Sequence, residues 1–393
     1  MEELLNNPYV RPFIFTAIIV ALFPLVAGYM VLLERKVLAD IQVRLGPMRV
    51  GPYGLLQPLA DAFKLLLKED VIPAQADKWI FWFAPILSTF TALTAFAVLP
   101  LSDVFYVTDV NIGILFVLAM SSIGILGIIL GGWSSNSKYS LLGSLRSAAQ
   151  MVSYEVPLGF AVVTGLMMAG TLSMQGIVRS QLEQSSWIAF SNYGLMLVPT
   201  VLFFIAGVAE TNRAPFDLPE AESEIVAGFH TEYSGFRFAL YFLAEYAGIF
   251  VISSVGVTLF FGGWLPPFPS IGSLSQVFGV AFPAAVFGVL GLMCARGVMK
   301  LVLTEQRLVM ALVGGGMFLI ASLFLIPSVN ALIIGLFWFL FKVFLVVYVF
   351  IWFRGTFPRY RYDQLMRVGW LYLIPISIGA LIVNAAVLLW SHS

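Results

Sequence analysis

One cysteine, Cys294, and two histidines, His230 and His392, are all the thiol and imidazole groups in this 393-residue chain. A single thiol excludes an internal disulfide and any four-cysteine iron–sulfur site within the chain. The histidines lie far apart and outside the apolar runs, which argues against paired axial haem ligands. Charge is scarce too: 11% of residues are Asp, Glu, Lys or Arg, where soluble proteins carry roughly 25%. The 21 basic and 21 acidic residues cancel, so nothing in the net charge attracts nucleic acid. P-loops, dinucleotide fingerprints, metal-ligand spacings and Ser/His/Asp arrangements are missing. The start, Met1-Glu2-Glu3, lacks the basic region of a cleaved signal peptide, so the first apolar run reads as a retained span.

What the chain has is hydrophobic length. Sixty per cent of it is hydrophobic, and the mean hydropathy is +0.95. A chain this poor in polar residues cannot cover itself with a water-facing surface, so its outer solvent is lipid. A membrane β-barrel shows alternating segments of about ten residues. Here the apolar runs are continuous and reach the roughly 20 residues that a bilayer-spanning helix needs. The fold class is therefore all-α: a polytopic transmembrane helical bundle of about ten spans. They are expected near 12–33, 79–101, 112–132, 152–174, 193–209, 238–264, 277–297, 308–326, 335–353 and 370–390. With the loop after the first span inside, 18 of the 21 lysines and arginines fall on the inner face, as the positive-inside rule requires. Both termini are then expected outside.

Several inner segments are too structured to be simple connectors. In 34–78, the stretch Gly46-Pro47-Met48-Arg49-Val50-Gly51-Pro52 turns sharply. A helix over 54–69 would align Gln57, Asp61, Lys64 and Lys68 in one stripe, with leucines and Phe63 around the rest. That pattern suits a helix along the interface or packed on the bundle, or a plain surface helix without a partner.

The segment 210–237 carries Glu210, Asp217, Glu220, Glu222, Glu224 and Glu232 against Arg213 and Arg237, a net −4 on the cation-rich face. If it is helical, Asp217, Glu220 and Glu224 share a face, where like charges destabilise a helix. Clustered carboxylates raise one another's pKa and titrate together, which is what a proton relay uses. A solvated acidic face is the alternative. The interleaved Phe216, Leu218, Pro219, Ile225, Val226 and Phe229 favour packing over solvation.

Three ionisable residues sit within spans: Glu155 at the start of the fourth, Glu245 in the sixth and Lys342 in the ninth. Such groups cost roughly 2.5–3.5 kcal/mol on insertion scales and so face the bundle interior. For Glu155 and Glu245 a hydrated proton path is favoured over structural pairing; for Lys342, pairing and snorkelling stay open. Near the C-terminus Arg354, Arg359 and Arg361 mix with Asp363, Tyr360 and Tyr362. With Glu34-Arg35-Lys36 and Arg44, this group suits a polar cavity or the docking of a soluble partner.

Four stretches together resemble the H-subunit family of proton-pumping NADH:quinone oxidoreductase, respiratory complex I. They are Glu34-Arg35-Lys36 on through Gly46-Pro47 and Arg49-Val50-Gly51-Pro52-Tyr53-Gly54 to Asp61; Gln150-Met151-Val152-Ser153-Tyr154-Glu155-Val156-Pro157; Ala209-Glu210-Thr211-Asn212-Arg213-Ala214-Pro215-Phe216-Asp217 with Glu220-Ala221-Glu222-Ser223-Glu224; and Pro358-Arg359-Tyr360-Arg361-Tyr362-Asp363-Gln364-Leu365-Met366. The resemblance covers about residues 10–265 and 335–390. It implies a membrane subunit of a proton-translocating enzyme, in a bacterial inner membrane, that couples quinone reduction to proton pumping. Glu34, Arg35, Arg44, Asp61 and Arg354 would line the quinone cavity. Glu155, Glu210, Asp217, Glu220, Glu222, Glu224, Glu232 and Glu245 would form the proton path. No catalytic redox centre and no metal site is implied in this chain. Quinone would be a substrate, and NADH, flavin and iron–sulfur clusters would belong to partner subunits. Those partners would be the other membrane-arm and peripheral-arm subunits, with the lipid bilayer around them and no nucleic acid.

The resemblance also implies domain limits: a core bundle over 1–265 with inner loops 34–78 and 210–237, an inserted hairpin over 266–334, and C-terminal core helices over 335–393. The insertion holds two spans joined at Leu303-Thr304-Glu305-Gln306, with its charges at the inner end. It reads as a peripheral hairpin that supplies packing or lipid contact and no chemistry. A hydrogenase membrane subunit of related fold and a stand-alone ion transporter are the competing readings. The electron donor and the quinone type are not encoded in these motifs.

Overall fold

The computed structural model describes residues 10–218, 226–267, 277–301 and 303–392. Among the described residues the regular structure is helical, and nine helices are long and apolar enough to cross a membrane. The expected span at 193–209 is a shorter apolar helix, Leu197–Glu210.

Helix α1, Val10–Ile41, has 32 residues and is about 48 Å long, so its last turns extend past a hydrocarbon core of about 30 Å. Glu34, Arg35 and Lys36 therefore belong to this helix and not to a loop. Helix α2, Gln57–Leu67, follows a turn at Pro52–Gly54 and is shorter than the expected 54–69, with Lys68 as its extended C-cap. Helices α3, Lys78–Thr94, and α4, Gly113–Ser134, pack along each other. Small residues permit close approach on α4. A Cβ on Gly127, Gly131 or Gly132 would collide with Ser88, the Tyr241 hydroxyl or Ser144 respectively.

Helix α5, Lys138–Ala169, corrects the expected fourth span at 152–174 by starting 14 residues earlier. Its first half is polar, and protein rather than lipid covers it: Ser140, Ser144, Ser147 and Gln150 are wholly buried. The serine hydroxyls turn back on the helix or donate to a neighbouring carbonyl, as Ser140 does to Phe229 O at 3.3 Å. Glu155 thus lies in mid-helix, not at a span mouth.

A short helix, α6 (Met174–Glu183), is capped by Ser173 Oγ, which accepts from Gly176 N. Its Gln181 Nε2 donates to Thr258 O at 2.9 Å. Helix α7 is Leu197–Glu210, and α8 is Gly235–Phe260. The latter is the centre of the bundle. Its run from Ile249 to Phe260 is buried throughout, and it touches α1, α2, α3, α6, α7 and the later helix α11, Pro327–Thr356.

Helices α9, Phe282–Lys300, and α10, Thr304–Leu323, form a hairpin. Only 11% and 6% of their apolar windows are buried, against 56% for α8, so most of the apolar surface of this pair faces away from the rest of the chain. It is held to α11 by Phe278, Phe282, Phe287, Phe324, Phe337 and Trp338, with Trp338 Nε1 donating to Phe278 O at 3.1 Å. The chain ends in α12, Tyr362–Arg367, a π-helical turn over Val368–Leu373, and α13, Ile374–His392.

Candidate functional site

Four elements meet at Glu34. Its carboxylate is buried near the C-terminal end of α1. Arg354, in the last turn of α11, donates to Glu34 Oε1. Arg213 Nη1 lies 3.4 Å from the same oxygen, and the Tyr246 hydroxyl on α8 donates to Oε2 at 2.6 Å. Arg213 stacks over the Tyr246 ring at 4.4 Å, and its Nε is 3.2 Å from Glu245 Oε1. One guanidinium thus bridges two carboxylates from different helices. Charges withdrawn from water persist only when paired and hydrogen-bonded, so this arrangement depends on all its members. Glu34, Arg213, Tyr246 and Arg354 enclose a space of about 10 Å³, the size of a single water site.

Arg35, the next residue, turns about 100° around α1 and is half exposed, 2.7 Å from Asp61 Oδ2. Gln57 Nε2 supports the other Asp61 oxygen at 2.9 Å, one helical turn away on α2. The stripe expected on that helix therefore receives a partner from α1. Arg44 is exposed and donates to Gln42 Oε1 at 2.6 Å within the following loop.

Beyond Glu245 lies a larger cavity of about 130 Å³ between α3, α4, α7 and α8, room for several waters. Glu210, Glu245, Ser121, Ser88, Thr91, His230 and Tyr241 give it polar walls, and Ile114, Val117, Phe203 and Val255 are among its apolar ones. Ser121 donates to Glu210 Oε1, and the adjacent Ser122 donates to Glu155 Oε1. Two consecutive serines on α4 so join acids from α7 and α5 across one turn. His230 is buried against Phe229, Phe238 and Tyr241, and burial pushes its imidazole down to about 3. It is neutral at physiological pH.

Residues 211–218 form a turn, with Asn212 at φ 50° and a cis Ala214–Pro215 bond. Gln150 Nε2 holds this turn, donating at 2.8 Å to both Ala209 O and Phe216 O. The buried amide thus gives the turn's carbonyls a side-chain partner, with Asn212 N also donating to Ala209 O at 3.2 Å. Asp217 pairs with Arg359 Nη2 at 2.9 Å, Tyr360 N donates to Pro215 O, and the Tyr360 ring stacks on Phe216. The arginine-rich C-terminal segment is thereby docked on the turn. Arg361 pairs with Asp363 at the surface. Glu232 is half buried after His230, and no hydrogen bond or ion pair joins it to the other acids among the described residues. Glu220, Glu222 and Glu224 lie outside the described residues.

Lys342, open between pairing and snorkelling in the sequence, is buried and donates to Phe261 O at 2.7 Å and Leu265 O at 2.9 Å. It caps the carbonyl end of α8, where a cation also meets the negative end of the helix dipole. Arg213 is the residue that sequence reasoning left outside the site. The available signal was its place as one of two cations in an acidic segment. Tyr246 and the pairing of Arg359 with Asp217 had no signal at all, because both depend on long-range packing.

Lipid-length helices around a buried network of acids and arginines, with a largely apolar cavity that two acids reach behind it, define an integral membrane protein with charge in its interior. Sequence relatives narrow this class. The family model described as NADH dehydrogenase matches residues 14–385. The chain is 63% identical over 385 residues to the second H subunit of NADH-quinone oxidoreductase from Solibacter usitatus, covering 98% of each. It is 54% identical to the first H subunit of the same enzyme from Koribacter versatilis, over 91% of this chain and 86% of that one. The H subunit from Rickettsia prowazekii is 42% identical over 94% and 91%. The chain belongs to the NADH dehydrogenase family of membrane subunits.

Proposed function

We propose that this chain is the quinone-side membrane subunit of a bacterial proton-translocating NADH:quinone oxidoreductase, and that it couples quinone reduction to the first steps of proton movement. The observation that carries the reading is the Arg213 bridge between Glu34 and Glu245, which ties the Arg354 end of the bundle to the internal cavity. A change of charge near Arg35, Asp61 or Arg354 alters the field at Glu34, and the ion pairs carry that change to Glu245 and the hydrated space beyond. Glu210 and Glu155, each held by a serine, continue the path, and Asp217, Glu220, Glu222, Glu224 and Glu232 belong to the same acidic segment. Arg44 lies on the loop that leads to the quinone route.

Electrons arrive from a cluster that a partner subunit carries; flavin and NADH belong to that peripheral part. Residues 1–265 and 335–393 form the working core, with 266–334 appended and both termini on the outer face. The test is made in the assembled complex with Glu155→Gln, Glu155→Asp, Glu220→Gln and Glu224→Gln. The Gln variants are expected to assemble normally and lose most quinone-coupled turnover, while Asp at 155 retains a good part. Wild-type turnover in all the Gln variants overturns the proton role.

A further inference from the structure

The α9–α10 hairpin has no ionisable group deep in its membrane part, yet its inner end is not idle. Gly297 on α9 faces the Tyr53 ring: a Cβ there would sit 3.4 Å from Tyr53 Cε2 and 3.0 Å from Met310 Cε. Helix α10 also contacts the Pro52–Gly54 turn. That turn has a demanding backbone. Gly51, Tyr53 and Gly54 all have positive φ, and a Cβ on Gly54 would collide with Pro47 O. A left-handed Tyr is strained and persists only when neighbours hold it. On one side Lys36 Nζ donates to Tyr53 O at 2.6 Å. On the other stand Gly297 and Met310. The turn runs directly into α2, where Leu56 N donates to Val50 O and Gln57 and Asp61 follow.

We infer that the hairpin is a brace: through Gly297, Met310 and Tyr53 it fixes the 43–56 loop, and with it the placement of Asp61 against Arg35. Tyr53 is a positioning residue. The inference rests on the reading of Arg35 and Asp61 as part of the quinone route, and assigns the hairpin control of quinone access rather than any proton transfer. A side chain at position 297 displaces the Tyr53 ring, tilts the start of α2 and misplaces Asp61 while leaving the Glu34 network untouched.

The experiment is quinone reductase kinetics on the assembled complex in membranes, with a ubiquinone and a menaquinone analogue. Gly297→Leu and Tyr53→Ala are expected to raise KM for quinone about fivefold with kcat held within about twofold, the pattern of lost binding rather than lost chemistry. Tyr53→Phe keeps the ring and should match wild type. Gly315→Leu, at a hairpin position with nothing within 4 Å, should also be silent. Should Gly297→Leu fail to assemble, Met310→Ala loosens the same contact with a smaller side chain and is read in the same way. Unchanged KM in Tyr53→Ala and in the 297 or 310 variant overturns the brace. An Arg35→Ala complex separates the two ideas. Normal quinone kinetics there sinks the quinone-route reading of Arg35, whereas impaired kinetics there beside silent Tyr53 and hairpin variants sinks the brace alone.

Discussion

Arg213 Nε lies 3.2 Å from Glu245 Oε1, and this ion pair stands between the small space around Glu34 and the larger cavity lined by Glu210. Its guanidinium is in contact with both carboxylates and with the Tyr246 ring. Planarity and several donors suit it to that bridging role, and an ammonium offers only a point charge.

Arg213→Gln is therefore expected to be the most damaging single change in the interior. Breaking a buried pair by removing one partner costs about 3–5 kcal/mol. The complex should accumulate poorly and unfold at lower temperature. Arg213→Lys should assemble better than Arg213→Gln but turn over slowly, since a lysine cannot span Glu34 and Glu245 while stacking on Tyr246. Thermal unfolding in detergent and quinone reductase assays check both. Stability and turnover of Arg213→Gln equal to wild type would remove the bridge from the account.

The sequence spacing revealed the spans because lipid exposure demands continuous apolar runs, and α4, α8, α10 and α11 lie where those runs fall. It misplaced the start of α5 for the converse reason. Ser140, Ser144, Ser147 and Gln150 are polar, but protein buries them, and hydropathy cannot distinguish a polar residue covered by protein from one in water. The site was legible to a similar degree. Glu155 and Glu245 stand out as charges within spans, while Arg213, at the edge of a span, looked like an ordinary inner-face cation. The pairing of Asp217 with Arg359 joins residues 142 positions apart, and no local pattern encodes it.

His230 makes stability pH-dependent. Its imidazole titrates near 6.5 when exposed and is pushed down to about 3 in the fold by burial. Between those values the unfolded chain binds the extra proton, so stability is full above 6.5 and is lost as pH falls toward 3. At pH 5 the loss amounts to about 2 kcal/mol. His230→Gln should flatten that part of the profile, measured as the shift in thermal midpoint between pH 7 and pH 5 for variant and wild type. An equal shift in both would show that His230 does not titrate across this range.

Asp217 and Arg359 tie the turn after α7 to the segment before α12. Arg359 is 47% exposed at the side chain while Asp217 is buried, so solvent weakens the pair, and a double-mutant cycle should give a coupling of about 1 kcal/mol. Arg359→Gln should cost more than Asp217→Asn, because it leaves a buried carboxylate without this cation, whereas Asp217→Asn leaves a half-exposed arginine that water can solvate. Zero coupling in thermal unfolding of the four proteins would mean that Tyr360 stacking alone docks the segment.

Lys342 separates a structural from a proton-carrying charge in the membrane. Its ammonium donates to Phe261 O and Leu265 O beyond the end of α8, and it sits 5.4 Å from the Trp187 ring. Both carbonyls lie past the helix, where no intrahelical donor reaches them. Lys342→Met keeps the length and removes the donors, leaving two buried acceptors without this partner at a cost of about 1–3 kcal/mol. The expected outcome is a complex with a lower thermal midpoint whose turnover per assembled unit and pH–rate profile match wild type. A carrier role predicts the reverse: unchanged stability with turnover lost across the pH range. The two results cannot be mistaken for each other, because one is read from unfolding and the other from rate. The cap geometry at Phe261 and Leu265 favours the first.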